Sequence, residues 1–183
     1  MSRTGLVGAG LIAVLLYPFA AQAQTRGVVA AAAGVTSLRE DPPGDVFPAQ
    51  SYDAGWTVTG SYTFLWKQRI GPVVDLGRNE RANLAGEAQT LSAWLIGARI
   101  DIISTRWFTP FAHALIGQET FEEPGFSETG LAIQPGGGVD VTLWKGLGIR
   151  AQGDYRFVQY DGDEGRYRNA RAFLGIAVRV PLH

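Results

Sequence analysis

The sequence predicts an all-β protein, an eight-stranded antiparallel up-and-down transmembrane β-barrel, on three observations. Beyond Gln24 the apolar residues recur at period two and not at 3.6, in runs of about ten residues separated by Gly, Pro, Asp and Asn clusters. The runs are even in number, as a closed antiparallel barrel with both ends on one side requires. One face of these runs is consistently apolar while the other repeatedly carries charge, which suits a lipid-facing outside around a polar interior.

The expected strands are Gly27 to Leu38, Gly55 to Leu65, Ile70 to Arg78, Thr90 to Ile100, Trp107 to Glu119, Gly130 to Leu143, Gly148 to Tyr160 and Arg168 to Val180. The first two are alternating runs bounded by turn-forming clusters. In the third, Pro72, Val74 and Leu76 oppose Asp75. In the fourth, Trp94, Ile96, Ala98 and Ile100 oppose Leu95, Gly97 and Arg99. The fifth holds His113, whose facing the alternation leaves open. In the sixth, Leu131, Ile133, Val139, Val141 and Leu143 oppose Gln134, Asp140 and Thr142. The seventh sets Ile149, Ala151, Gly153, Tyr155 and Phe157 against Arg150, Gln152, Asp154, Arg156 and Val158. The eighth is the clearest. Ala170, Ala172, Leu174, Ile176, Val178 and Val180 form one face and Asn169, Arg171, Phe173, Gly175, Ala177 and Arg179 the other, a division that no helix makes. A soluble barrel would turn its apolar face inward and cover the outside with more Lys and Glu than this chain has. Trp56, Phe64, Trp66, Trp107, Phe108, Trp144, Tyr155, Phe157 and Tyr160 lie at or near strand ends, where a membrane barrel carries its aromatic girdles.

Composition excludes other classes. The 183 residues suit one domain of ordinary size and include 24 Gly but no Cys, so a disulfide scaffold, a Cys-based zinc site and a thiol nucleophile are out. A net charge of −1 offers no basic surface for a phosphate backbone, and nucleic acid is not an expected partner. After the first 23 residues no apolar run approaches the length of a membrane-spanning helix. The start itself reads as a secretory signal peptide: Ser2-Arg3-Thr4 is basic, Leu6 to Leu16 apolar, and Ala21-Gln22-Ala23 a small-x-small cleavage site. Residues 1–23 are thus expected to be a signal peptide and 24–183 the barrel.

Link lengths set an expected orientation. Trp66 to Arg69, Asp101 to Arg106 and Trp144 to Leu147 are short, whereas 39–54, 79–89, 120–129 and 161–167 are longer and richer in Gly, Pro and acids. Short turns belong to the periplasm and long loops to the outside, which puts both termini on the periplasmic side. With their edges, the long loops sum to −8, and the rest of the chain after residue 23 carries +6.

Four segments carry a family resemblance: Thr109-Pro110-Phe111-Ala112-His113-Ala114-Leu115-Ile116-Gly117, Gly136-Gly137-Gly138-Val139-Asp140-Val141, Ile149-Arg150-Ala151-Gln152-Gly153-Asp154-Tyr155-Arg156 and Asn169-Ala170-Arg171-Ala172-Phe173-Leu174-Gly175-Ile176. They resemble the small bacterial outer-membrane β-barrel domain family, porin-like proteins similar in fold to the barrel of outer membrane protein A. The resemblance covers essentially residues 25–183. It implies an eight-stranded barrel of the bacterial cell outer membrane, in contact with outer-membrane lipids and lipopolysaccharide, handled by the barrel-assembly machinery, and it supplies no catalytic residues. Such proteins commonly end on Phe or Trp, where this chain ends Val180-Pro181-Leu182-His183.

The candidate chemistry lies inside the barrel. Asp75, Arg99, Asp140, Arg150, Asp154, Arg156, Arg171 and Arg179 share the inward face, and eight strands leave room only for side chains, so a packed network of ion pairs is expected. A catalytic or ion-conducting constellation is the alternative. Ser92 and His113 could make a lipid-face pair like that of an outer-membrane lipid deacylase, although no supporting acid is identifiable. Gly136-Gly137-Gly138 lacks the following Lys-Ser/Thr of a phosphate loop and reads as room for curvature or bulky interior side chains. Glu119, Glu122, Glu123 and Glu128 form an acidic third loop, solvated by default, with divalent-cation binding as the sharper reading. The expected protein is a monomeric, non-enzymatic envelope or surface-interaction barrel with no cofactor and no metal. A small channel and, less favoured, a lipid-modifying enzyme remain the alternatives.

Overall fold

A computed structural model describes residues 25–41, 50–64, 68–82, 88–160 and 166–182. The expected signal peptide lies outside the described residues. Eight strands, β1 (Thr25–Asp41), β2 (Gln50–Thr63), β3 (Ile70–Ala82), β4 (Ala88–Asp101), β5 (Phe108–Glu123), β6 (Phe126–Trp144), β7 (Leu147–Tyr160) and β8 (Arg166–Leu182), form a closed antiparallel barrel. Every neighbour in sequence is a neighbour in space, and β8 closes on β1 from Thr25↔Leu182 to Asp41↔Arg166. Closure removes both sheet edges, so every strand can satisfy its backbone groups in the sheet, as a bilayer demands.

Tracing paired residues once round the barrel, from Ala30 through Thr59, Asp75, Leu95, Gly117, Ala132, Val158 and Tyr167, returns to β1 at Glu40 rather than at Ala30. Such a stagger tilts the strands by about 40° and leaves an interior that side chains fill. We call the end that carries both chain termini the terminal end and the opposite one the distal end.

Burial follows the alternation. Along β7 exposed and buried residues alternate without a break, with Arg150, Gln152, Asp154, Arg156 and Val158 inside. The outside carries large exposed apolar side chains on successive strands, among them Ile96, Ile116, Leu131, Ile133, Ile149, Leu174 and Ile176. Phe64, Trp107, Phe108 and Trp144 are exposed at the terminal strand ends, and Trp56, Trp94 and Tyr155 are exposed several residues inside the distal strand ends. These two rings bound the apolar band as aromatic girdles. Two apolar clusters share the interior with the polar groups: Val73, Leu95, Leu115, Ala132, Val158 and Tyr160, and, on the closing seam, Val28, Ala30 and Ala177.

The strands run further than the sequence suggests at the distal end. The expected third loop, residues 120–129, is mostly strand: β5 and β6 pair up to Glu123↔Phe126 across a turn of Pro124 and Gly125. Pro supplies the fixed φ and Gly125, at φ 82°, the left-handed position that follows it. The barrel therefore projects beyond its distal girdle.

Candidate functional site

Near the terminal end the interior is organised by Asp140. Its Oδ1 accepts from Arg150 Nε at 2.7 Å, and its Oδ2 from Arg150 Nη2 at 2.9 Å and Arg99 Nη2 at 2.8 Å. The Arg150 contact is the bidentate fork that matches guanidinium to carboxylate. Arg99 Nε donates to Asp101 Oδ1 at 2.8 Å, and Arg150 Nη1 donates to Thr59 Oγ1. Both guanidiniums lie over the Phe111 ring, 3.9 and 4.8 Å from its centroid, which adds cation–π attraction to buried charges. Arg99 is 1% and Arg150 2% exposed, so these charges are stabilised by each other and not by solvent.

Further toward the distal end the arrangement is looser and built around amides. Gln134 Oε1 accepts from both Arg156 Nε and Arg171 Nη1, each at 2.7 Å, and so separates two like charges with one dipole. Glu119 accepts from Arg156 Nη1, from Tyr160 Oη at 3.1 Å and from Asn169 Nδ2 at 2.9 Å. Asp154 is held by His113 Nε2 at 2.9 Å and Gln152 Nε2 at 2.9 Å. Asp75 accepts from Thr57 Oγ1 at 3.0 Å. Arg171 lies between the two acids, 3.8 Å from Asp75 and 3.9 Å from Asp154.

The glycine run explains how this polar crowd fits. Gly136 pairs with His113 on one side and Asp154 on the other, and a Cβ there would collide with both side chains. Gly138 pairs with Phe111 and Gln152, and its Cβ would press on the Phe111 ring. Both face inward on β6, so missing side chains let His113 reach Asp154 and let Phe111 lie under the arginines.

Of the candidate residues, Asp75, Arg99, Asp140, Arg150, Asp154, Arg156 and Arg171 are buried together inside the barrel. Arg179 stands apart at the terminal rim, half-buried, with Nη2 donating to Thr109 Oγ1 at 2.7 Å. His113 faces inward. Ser92 is on the outward side of β4 and pairs with Thr120, while His113 pairs with Arg99, so the Ser–His pair does not form. The acidic third-loop cluster is likewise divided: Glu119 is 1% exposed inside the barrel, leaving Glu122, Glu123 and Glu128 on the distal hairpin. No group of three or more His, Asp or Glu among the described residues is arranged to hold a metal ion. Asp101 and Glu119 belong to the network, although the expected fourth strand stops one residue short of Asp101, and Glu119, the last residue of the expected fifth strand, was counted with the acidic loop. Asp101 continues the odd-numbered inward series Leu95, Gly97, Arg99, a signal that one further residue of strand would have shown.

Comparison with solved structures agrees with the architecture. Neisserial surface protein A superposes with a TM-score of 0.66 at 12% identity, over 83% of this chain and 96% of that one. Ail, the attachment invasion locus protein of Yersinia pestis, gives 0.56 at 13% identity over 86% and 100% of the chains. The outer membrane protein OprG of Pseudomonas aeruginosa gives 0.53 at 11% over 87% and 97%. No protein-family model and no curated protein sequence matches the chain. An apolar band between two aromatic girdles makes the outside of this barrel a lipid-facing surface, and the chain is a transmembrane barrel with the fold of the small bacterial outer-membrane proteins.

Proposed function

We propose that the protein is a closed, non-enzymatic barrel with a structural or surface-interaction role in the bacterial envelope, its interior network acting as a packed plug. The observation that carries this reading is the layer around Asp140. Two arginines, two carboxylates, Thr59 and Phe111 from five strands reach across the interior through direct bonds and a ring stacked under both guanidiniums. The distal end is then the part offered to partners, facing outward, with both termini in the periplasm and the segment 1–23 removed after export. With Glu119 inside, the distal segments carry −7 rather than −8, still an acidic surface. The protein works as a monomer delivered by the barrel-assembly machinery. The same scaffold carries proteins named for the cell surface and for attachment.

Planar-bilayer recording tests the plug. The expected trace is free of steady conductance, and a steady open level in the wild type would overturn the reading. Against the enzyme alternative stands the separation of Ser92 and His113 to opposite faces, and lipids extracted from expressing cells are expected to be unmodified.

A second reading, a narrow channel, has one observation in its favour. Arg171 Nε and Nη2, Arg156 Nη2, Gln134 Nε2 and Asn79 Nδ2 are buried donors without an acceptor among the described residues, and all lie in the distal half. Buried donors of this kind are met by internal water. The distal half is accordingly the wetter one, and the Asp140 layer is the barrier that a channel would have to open.

A further inference from the structure

At the terminal end, the β4–β5 turn, the β6–β7 turn and β8 meet in a cleft of about 500 Å³ lined by Arg106, Lys145, Arg179, Trp107, Trp144 and Leu143. Backbone hydrogen bonds join the three elements: Thr142 N–H donates to Trp107 C=O at 2.8 Å, and Arg179 N–H donates to Gly146 C=O at 2.8 Å. The cleft is thus part of the barrel's hydrogen-bonded rim.

Its charges differ from those of the interior. Every interior arginine faces a carboxylate, whereas Arg106 and Lys145 make no ion pair with a carboxylate among the described residues. They rest instead against the indoles beside them, Arg106 5.1 Å from the Trp107 ring centroid and Lys145 4.8 Å from that of Trp144. Arg179 is fixed behind them by Thr109 Oγ1 and the carbonyls of Thr105 and Arg106. Lys145 also sits in an unfavourable backbone conformation. It and Gly146 have φ of 42° and 89°, a two-residue turn whose first position favours Asn, Asp or Gly. A lysine held there against local preference points to a use for its ammonium group.

The surroundings say what that use is. Trp144 is 67% and Trp107 57% exposed on the lipid-facing edge, so the cleft is apolar where acyl chains lie and cationic where headgroups lie. We propose that this cleft binds the phosphate headgroup of an anionic phospholipid in the leaflet at the terminal end. The three cations meet the phosphate, and the two indoles and Leu143 receive the start of the acyl chains. A zwitterionic lipid offers the same apolar part without the net negative charge.

The test uses the refolded protein in neutral detergent, with native mass spectrometry reading retained lipid after addition of dioctanoyl phosphatidylglycerol or dioctanoyl phosphatidylcholine. Retention of phosphatidylglycerol over phosphatidylcholine is expected, falling by roughly tenfold in the double variant Arg106→Gln/Lys145→Asn. Lys145→Asn alone suits the turn better than lysine, so it separates lost charge from lost fold and is expected to give a smaller fall in the same direction. Millimolar inorganic phosphate is expected not to displace the lipid. Equal retention of the two lipids, or undiminished retention in both variants, would overturn the proposal. Displacement by inorganic phosphate would overturn the lipid as ligand and leave a simple anion site.

Discussion

Asp140 is the residue on which the terminal half of the interior depends. It accepts from two guanidiniums that are buried in the interior, so replacing it by Asn removes the compensating charge without changing shape. Breaking a buried pair in this way costs about 3 to 5 kcal/mol, because the abandoned charges stay buried. Urea unfolding of Asp140→Asn in micelles is expected to show a loss of that size, and a loss below about 1 kcal/mol would mean that Arg99 and Arg150 find other partners. Gly136 makes a second test at this scale. A methyl group there intrudes between His113 and Asp154, and overpacking of this kind costs about 1 to 3 kcal/mol. Gly153 lies on the outward side of β7 beside Asp154, where a Cβ would meet nothing nearer than the Arg171 carbonyl oxygen at 3.9 Å, so Gly153→Ala should leave the His113 to Asp154 contact intact. The nuclear magnetic resonance signals of the His113 ring are expected to shift in Gly136→Ala and to stay in place in Gly153→Ala.

Among the elements, β8 and β7 were legible from the chain alone because, between the girdles, each carries charge on one face and only apolar or small residues on the other. β8 therefore supplies a clean test of facing. Ile176 is 59% exposed and pairs with Ala31 and Ile149, midway between the girdles. An arginine at that depth on the lipid side costs about 2 to 4 kcal/mol. Ile176→Arg is expected to lower the folding free energy into bilayers by that amount while Ile176→Leu changes it little, and equal tolerance of the two would reverse the assigned face. β5 was less legible for a physical reason. Its inward residues Phe111 and Leu115 are as apolar as its outward Ala112, Ala114 and Ile116, so alternation gave His113 no face. Past the distal girdle the contrast fades again, since the outside there meets water. Gln118, Thr120 and Glu122 alternate with Glu119 and Phe121, and a run with polar residues on both faces looks like a loop. Glu119 was lost to the interior network on that account, although Arg156 opposite was found.

Taken whole, the barrel is electrically asymmetric, and the proposed plug has its own side chains close it. Acidic residues gather on the distal segments, while the described terminal turns bring Arg69, Arg106 and Lys145 to the other rim. The closure separates the plug reading from the channel reading, and salt can tell them apart. Raising NaCl from about 0.1 to about 1 M shortens the screening length from ~10 Å to ~3 Å, but only where ions can enter. In a sealed interior the penalty of Asp140→Asn is expected to be the same at both salt concentrations, because no counterion reaches Arg99 or Arg150. In a channel, chloride would enter and neutralise the guanidinium charge that Asp140 no longer balances, chiefly that of Arg150, and the penalty would shrink as salt rises. Unfolding wild type and variant side by side at each concentration cancels the effect of salt on the surface charges that both share. A penalty that falls by more than about 1 kcal/mol at the higher salt would show that ions reach the Asp140 layer and that the barrel is not closed there.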